Sequence, residues 1–161
     1  MRHLQLIFLL LCLSGVSIPA VATGEIAIIA HRDSPLRSLT PREVSDLYLG
    51  RLRSLSAGPA YLIALYDHPS DHELRAQFFH RLNGMNLKQL NAYWARLRFS
   101  GAVLPPDTLP NSRAVVEAVG KNRVALGYVD ASAVDNSVKV LLRLPVGALS
   151  EKSSPSDPTL P

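Results

Sequence analysis

Residues 67–75 read Asp67-His68-Pro69-Ser70-Asp71-His72-Glu73-Leu74-Arg75, which places carboxylates, imidazoles, a hydroxyl and a guanidinium in one short stretch. The stretch follows an apolar run at 61–66, YLIALY, that reads as a buried strand, and it opens a helix expected over 71–82. A buried strand feeding a helix start aims several unbonded backbone N–H groups at one point, where an oxyanion can sit. The chemistry on offer is therefore capture of a small anion.

Each candidate side chain has a second explanation. Ser70 either donates its hydroxyl to an oxyanion or caps the helix, with Glu73 completing a capping box, and capping by itself accounts for the pattern. Arg75 either reaches an anion at the helix start or pairs with Asp71 at i, i+4 spacing, the second being favoured. Asp71 and His72 complete the expected ligand contacts on this turn. Arg32 and Ser34 follow the first strand and are expected as further contacts, because ligands sit at strand ends in α/β sheets. A turn built by Asp33-Ser34-Pro35 explains the same residues without a ligand.

His68, Asp71, His72 and His80 are of suitable types for zinc. Pro69, however, breaks any helical relation between His68 and His72, and His80 lies more than two turns further on. No metal and no cofactor is expected. The sequence holds no G-x-S-x-G elbow, no phosphate-cradling P-loop and no catalytic cysteine, and Ser70 stands too close to His72 to form a nucleophile–base pair. An enzyme is not expected.

Several elements must position this turn. EIAIIA at 25–30 reads as a short buried strand. Thr40, Pro41 and Glu43 open a helix by a capping box with proline in the first turn; Val44, Leu47 and Tyr48 share one face, and Gly50 ends it. In the helix after the candidate turn, Leu74 and Phe78 with Leu82 or Phe79 form the apolar stripe. Asn86 caps another helix with Leu87, Leu90, Trp94 and Leu97 inward, and Tyr93 and Trp94 read as rim and core packing. A further helix carries Val115, Val116 and Val119 and closes near Gly120, and strands are expected at 124–129 and 138–144. Asp130 is expected to cap the turn after its strand. The order β-α-β-α-α-α-β-β, about four strands and four helices, argues for an α/β domain of two or three layers.

Residues 1–22 read as a signal peptide: Met1-Arg2-His3, an apolar run to Leu13, and Ala20-Val21-Ala22 as the cleavage site. The expected product is an exported domain over 23–146 with a disordered Ser/Pro-rich tail at 147–161, no cysteine and no membrane span. Loss of Arg2 leaves 16 basic against 13 acidic side chains, mostly arginine, whose planar fork suits carboxylate and phosphate. No dense basic run with interleaved aromatics is present, so nucleic acid is not an expected partner.

The stretch Leu39-Thr40-Pro41-Arg42-Glu43-Val44-Ser45-Asp46-Leu47-Tyr48-Leu49-Gly50-Arg51 resembles the L-x-x-x-x-L/V-x-D-I-F-L-G-K segment of phosphate-type periplasmic solute-binding proteins of ABC transporters. Ala125-Leu126-Gly127-Tyr128-Val129 resembles their A-I-G-Y-V strand. Tyr93-Trp94, the Gly101 loop and Ala131-Ser132-Ala133-Val134 suit small members of that group, so the resemblance spans roughly residues 25–144. It implies a type II periplasmic-binding-protein-like α/β fold, reduced here to one main lobe. It also implies binding of phosphate or another small anion beside a transporter permease. The resemblance breaks at the binding loop: Asp67 stands where an arginine is expected, and Ser70-Asp71-His72-Glu73 replaces the usual glycine-rich stretch. The alternative is a periplasmic interaction or sensory module that keeps the fold without a ligand.

Overall fold

The computed structural model describes residues 24–55, 62–101 and 103–146. The expected signal peptide and tail lie outside them, as does Tyr61. The elements are β1 (Glu25–His31), α1 (Pro41–Tyr48), β2 (Ala64–Asp67), α2 (Glu73–Asn83), α3 (Leu87–Phe99), β3 (Asp107–Thr108), α4 (Ser112–Lys121), β4 (Ala125–Asp130), a 3-10 turn (Ala131–Ala133) and β5 (Val138–Pro145). The strands form one sheet in the order β3-β2-β4-β1-β5. β2 runs parallel to β3 and β4, whereas β1 is antiparallel to both β4 and β5.

The alternation of β1 and β4 divides the core between the two faces of the sheet. Ile26, Ile28, Leu126 and Tyr128 face α1–α3 together with Tyr48, Phe78, Phe79, Leu90 and Trp94. Ala27, Ile29, Ala125 and Val129 face α4 through Val115, Val116 and Val119. The result is three layers, as period-2 strands between amphipathic helices require. The Thr40–Glu43 capping box forms as expected, with Glu43 N–H donating to Thr40 Oγ1 at 3.2 Å and Thr40 N–H to Glu43 Oε2 at 2.8 Å. The Thr40 backbone N–H and its hydroxyl, both donating to Oε2, hold the Glu43 carboxyl below its ordinary range. Trp94 is buried and Tyr93 half-buried, as read from the sequence.

Two differences from the sequence reading concern elements. The strand expected at 61–66 is observed at Ala64–Asp67, which carries Asp67 into the sheet. A fifth strand, β3, has two exposed residues and hence no apolar pattern to announce it.

Gly127 sets the spacing between α4 and the sheet. A Cβ there would lie 2.3 Å from Val115 Cγ1 and 3.1 Å from Val119 Cγ2. Valine side chains are stiff at χ1 and cannot swing away cheaply. Gly127→Ala is therefore expected to destabilise the domain by about 1–3 kcal/mol through overpacking, read as a fall in the urea midpoint with an unchanged slope. A neutral result would mean that α4 can lift from the sheet.

Candidate functional site

Parallel β2 and β4 point the same way, so Asp67 and the last residues of β4 lie at one end of the sheet, with the start of antiparallel β1 beside them. The chain leaves Asp67 through His68 and Pro69 and turns at 69–72, where His72 N–H donates to the Pro69 carbonyl at 3.0 Å. α2 then begins at Glu73. Its N-cap is His72, whose Nδ1 accepts from Leu74 N–H at 3.2 Å. Ser70 is therefore not the cap and the Ser70–Glu73 box does not form; Ser70 lies exposed on the turn, two residues too early. Asp71 is also exposed and precedes the cap, so its spacing to Arg75 is not a helical i, i+4 relation.

Arg75 pairs instead with Asp67. In a helix the side chains lean toward the N-terminus, and the Arg75 guanidinium follows that direction back to the end of β2. Its Nε donates to Asp67 Oδ2 at 2.9 Å, with both side chains almost wholly buried. Nη1 donates to Asn91 Oδ1 at 3.0 Å and reaches the Ser70 carbonyl at 3.5 Å, while Phe79 packs with its ring centroid 5.4 Å from the guanidinium carbon. The other carboxylate oxygen of Asp67 accepts from His68 N–H at 2.7 Å and from the Tyr128 hydroxyl. Burial, joined by the nearby negative charge of Asp67, pushes the Tyr128 phenol well above its ordinary value, so it remains the donor.

Three buried donors thus converge on one anion, and that anion is the protein's own carboxylate. Beside it a recess of about 300 Å³ remains, lined by Ser70, Arg75, Asn91, Arg98 and Thr108 among others, with Asp67 and His68 in its wall. A larger groove of about 440 Å³ adjoins it across Trp94, Pro105 and Pro106. Apolar side chains line it together with Arg53 and Asp107, and Leu62 and Leu104 there are largely exposed.

Of the residues singled out in the sequence, Ser70 and Arg75 reach the recess, and His72 packs on His68 with ring centroids 4.8 Å apart. Arg32 and Ser34 do not. Ala30 is paired with Leu126, so antiparallel β1 delivers His31 and the following loop to the opposite end of β4 from Asp130. There Asp33 pairs with Arg123 at 3.0 Å, and Ser34 is buried, its carbonyl accepting from Lys139 Nζ. These two residues cannot contact a ligand at 67–75. Asp130 caps the turn after β4, accepting from Ser132 N–H at 2.9 Å. Among the described residues no group of three or more His, Cys, Asp or Glu side chains could hold a metal.

Sequence reasoning missed His68 and Tyr128 as parts of the same network. His68 is buried; its Nε2 lies 3.0 Å from the Tyr128 carbonyl and acts as donor, leaving Nδ1 buried with no partner among the described residues. Burial pulls His68 below the ordinary histidine range, with His72 adding to the effect, while the Tyr128 carbonyl and Asp67 oppose it. The unfolded chain takes up this proton below about pH 6.5, whereas the folded chain resists. Stability present at neutral pH therefore falls as pH drops from about 6.5 through the lowered folded value, below which the loss levels off. Thermal melts at pH 7 and pH 5 should show this loss, and His68→Gln, which keeps an amide donor for the Tyr128 carbonyl, should flatten the slope between them. An unchanged slope in His68→Gln would assign the effect to other groups.

No family model matches the sequence. No curated protein matches it either. Solved structures do. A structure from Clostridium perfringens with bound phosphate, assigned as a phosphate ABC transporter substrate-binding protein, superposes with a TM-score of 0.61 at 21% identity, over 74% of this chain and 44% of that one. An ABC-type phosphate transport receptor from Vibrio cholerae gives 0.59 at 18% identity, over 74% and 46%. PstS from Borrelia burgdorferi gives 0.55 at 12% identity, over 74% and 47%. The chain spans less than half the length of each. At these identities the likeness is one of architecture: this sheet and its helices have the α/β fold found in phosphate substrate-binding proteins of ABC transporters.

Proposed function

We propose that the chain is an exported, periplasmic module that keeps a phosphate-binding-protein-like fold and acts through a protein partner, not through capture of a small anion after β2. One observation carries this reading: the buried donors of His68, Arg75 and Tyr128 are already taken by Asp67. A phosphate dianion brought within about 4 Å of that carboxylate would meet repulsion of roughly 2–8 kcal/mol, depending on screening. The groove beside exposed Leu62 and Leu104 supports a protein partner, since exposed apolar side chains gathered at one groove mark interaction surfaces. The partner class is a transporter permease or another periplasmic protein. No helix among the described residues is long and apolar enough to cross a membrane.

Isothermal titration of the folded mature chain with phosphate, sulfate and acetate should give no binding heat at millimolar ligand. A pull-down from periplasmic extract should retain a stoichiometric protein without added anion. Saturable phosphate binding would overturn this reading in favour of a second one, a binder of phosphate-like anions in ABC-type transport. The second reading draws on the recess beside Arg75, where Ser70, Arg98 and Thr108 line the wall. It requires that Arg98→Ala abolish the heat.

A further inference from the structure

We propose that Asp67 is a tethered surrogate ligand: its carboxylate fills an anion cradle made by His68 N–H, the Tyr128 hydroxyl and the Arg75 guanidinium, and a free small carboxylate takes its place when that side chain is removed. This deepens the reading above and rests on it.

The geometry distinguishes a cradle from an ordinary surface ion pair. The donors come from three places, the turn after β2, α2 and β4, and they divide between the two carboxylate oxygens, two on Oδ1 and one on Oδ2. Arg75 is held independently of Asp67 by Asn91 and the Ser70 carbonyl. Tyr128 is fixed by ring stacking on Phe78, at a centroid separation of 3.7 Å and an interplanar angle of 3°. His68 N–H is fixed by the backbone. The donor set would therefore keep its shape without the carboxylate. The 300 Å³ recess, whose lining includes both Asp67 and Arg75, gives a free anion a route in. A tethered group competes at high effective concentration, so in the native chain Asp67 excludes untethered carboxylates and sets the specificity of the site.

Truncation supplies the test. Asp67→Ala leaves the cradle empty around a buried, positively charged Arg75. Formate and acetate, titrated against sodium chloride of equal ionic strength, should raise the Tm of Asp67→Ala by about 5 °C at about ten times the dissociation constant. The wild-type chain should not respond, and neither should Asp67→Ala combined with Arg75→Met. If Asp67→Ala is unfolded in buffer, recovery of the fold in formate but not in chloride supports the proposal, and no recovery overturns it. A folded Asp67→Ala that is indifferent to both carboxylates also overturns it, while leaving the partner-module reading intact.

Discussion

Arg75→Met should destabilise the domain by about 3–5 kcal/mol, the usual consequence of removing one partner from a buried ion pair. The guanidinium and the Asp67 carboxylate lie 2.9 Å apart, with side-chain exposures of only 7% and 4%. Methionine nearly matches the arginine stem in volume, so the loss is not one of packing. Asp67 would retain only His68 N–H and the Tyr128 hydroxyl as donors, while carrying a full charge away from water. Arg75→Lys should recover part of the loss, because it restores the charge but not the fork that serves Asp67, Asn91 and the Ser70 carbonyl together. Adding Asp67→Asn to Arg75→Met should also recover stability, since the amide oxygen still accepts a hydrogen bond and no buried charge remains unpaired. Urea denaturation of the wild type, Asp67→Asn, Arg75→Met and the double variant measures the coupling directly. If the single Arg75→Met change cost under 1 kcal/mol, water would have to reach Asp67 freely, and the surrogate-ligand argument would lose its basis.

Much of the frame was legible in residues 25–144 because it rests on local rules. Thr40 with Glu43, Asn86 at its helix start and the apolar run at 25–30 each announce an element without help from distant sequence. The strand-to-helix turn around 67–75, which holds the candidate site, was legible for the same reason. Its content was not. Asp67 is joined to Tyr128 across 61 residues and to Arg75 across eight, and both links depend on how β2 and α2 dock on β4. Helical spacing suggested Asp71 as the arginine's partner, but Asp71 lies before the cap. The cap expected at Ser70 falls instead on His72, because the turn at 69–72 delays the helix start. Arg32 and Ser34 were misplaced for a topological reason. Periodicity identifies a strand but carries no information on its direction, and it is the antiparallel run of β1 that sends the loop after it to the far end of the sheet.

Phe78→Ala tests whether the aromatic core positions the cradle or only fills space. Phe78 is fully buried, stacked on Tyr128, and meets Tyr48 and Phe79 edge-on at 4.9 and 5.1 Å. Truncation should cost about 3–5 kcal/mol, as expected for deleting a large buried ring, seen as a lower urea midpoint. The second arm is a cycle with Tyr128→Phe, which removes the hydroxyl donated to Asp67 and keeps the ring. That single change should cost about 1.5–3 kcal/mol, the value of a hydrogen bond to a charged group. If the stacked Phe78 holds the phenol on Asp67, the hydroxyl matters less once Phe78 is gone, and the two costs should fall short of additivity by at least about 0.5 kcal/mol. Strict additivity would assign Phe78 to volume alone. The orientation of Tyr128 would then have to come from Tyr48, 5.4 Å away, and from His68, 5.0 Å away on the ring's other contacts. A measured coupling would instead tie the core on the α1–α3 face directly to the carboxylate at the end of β2.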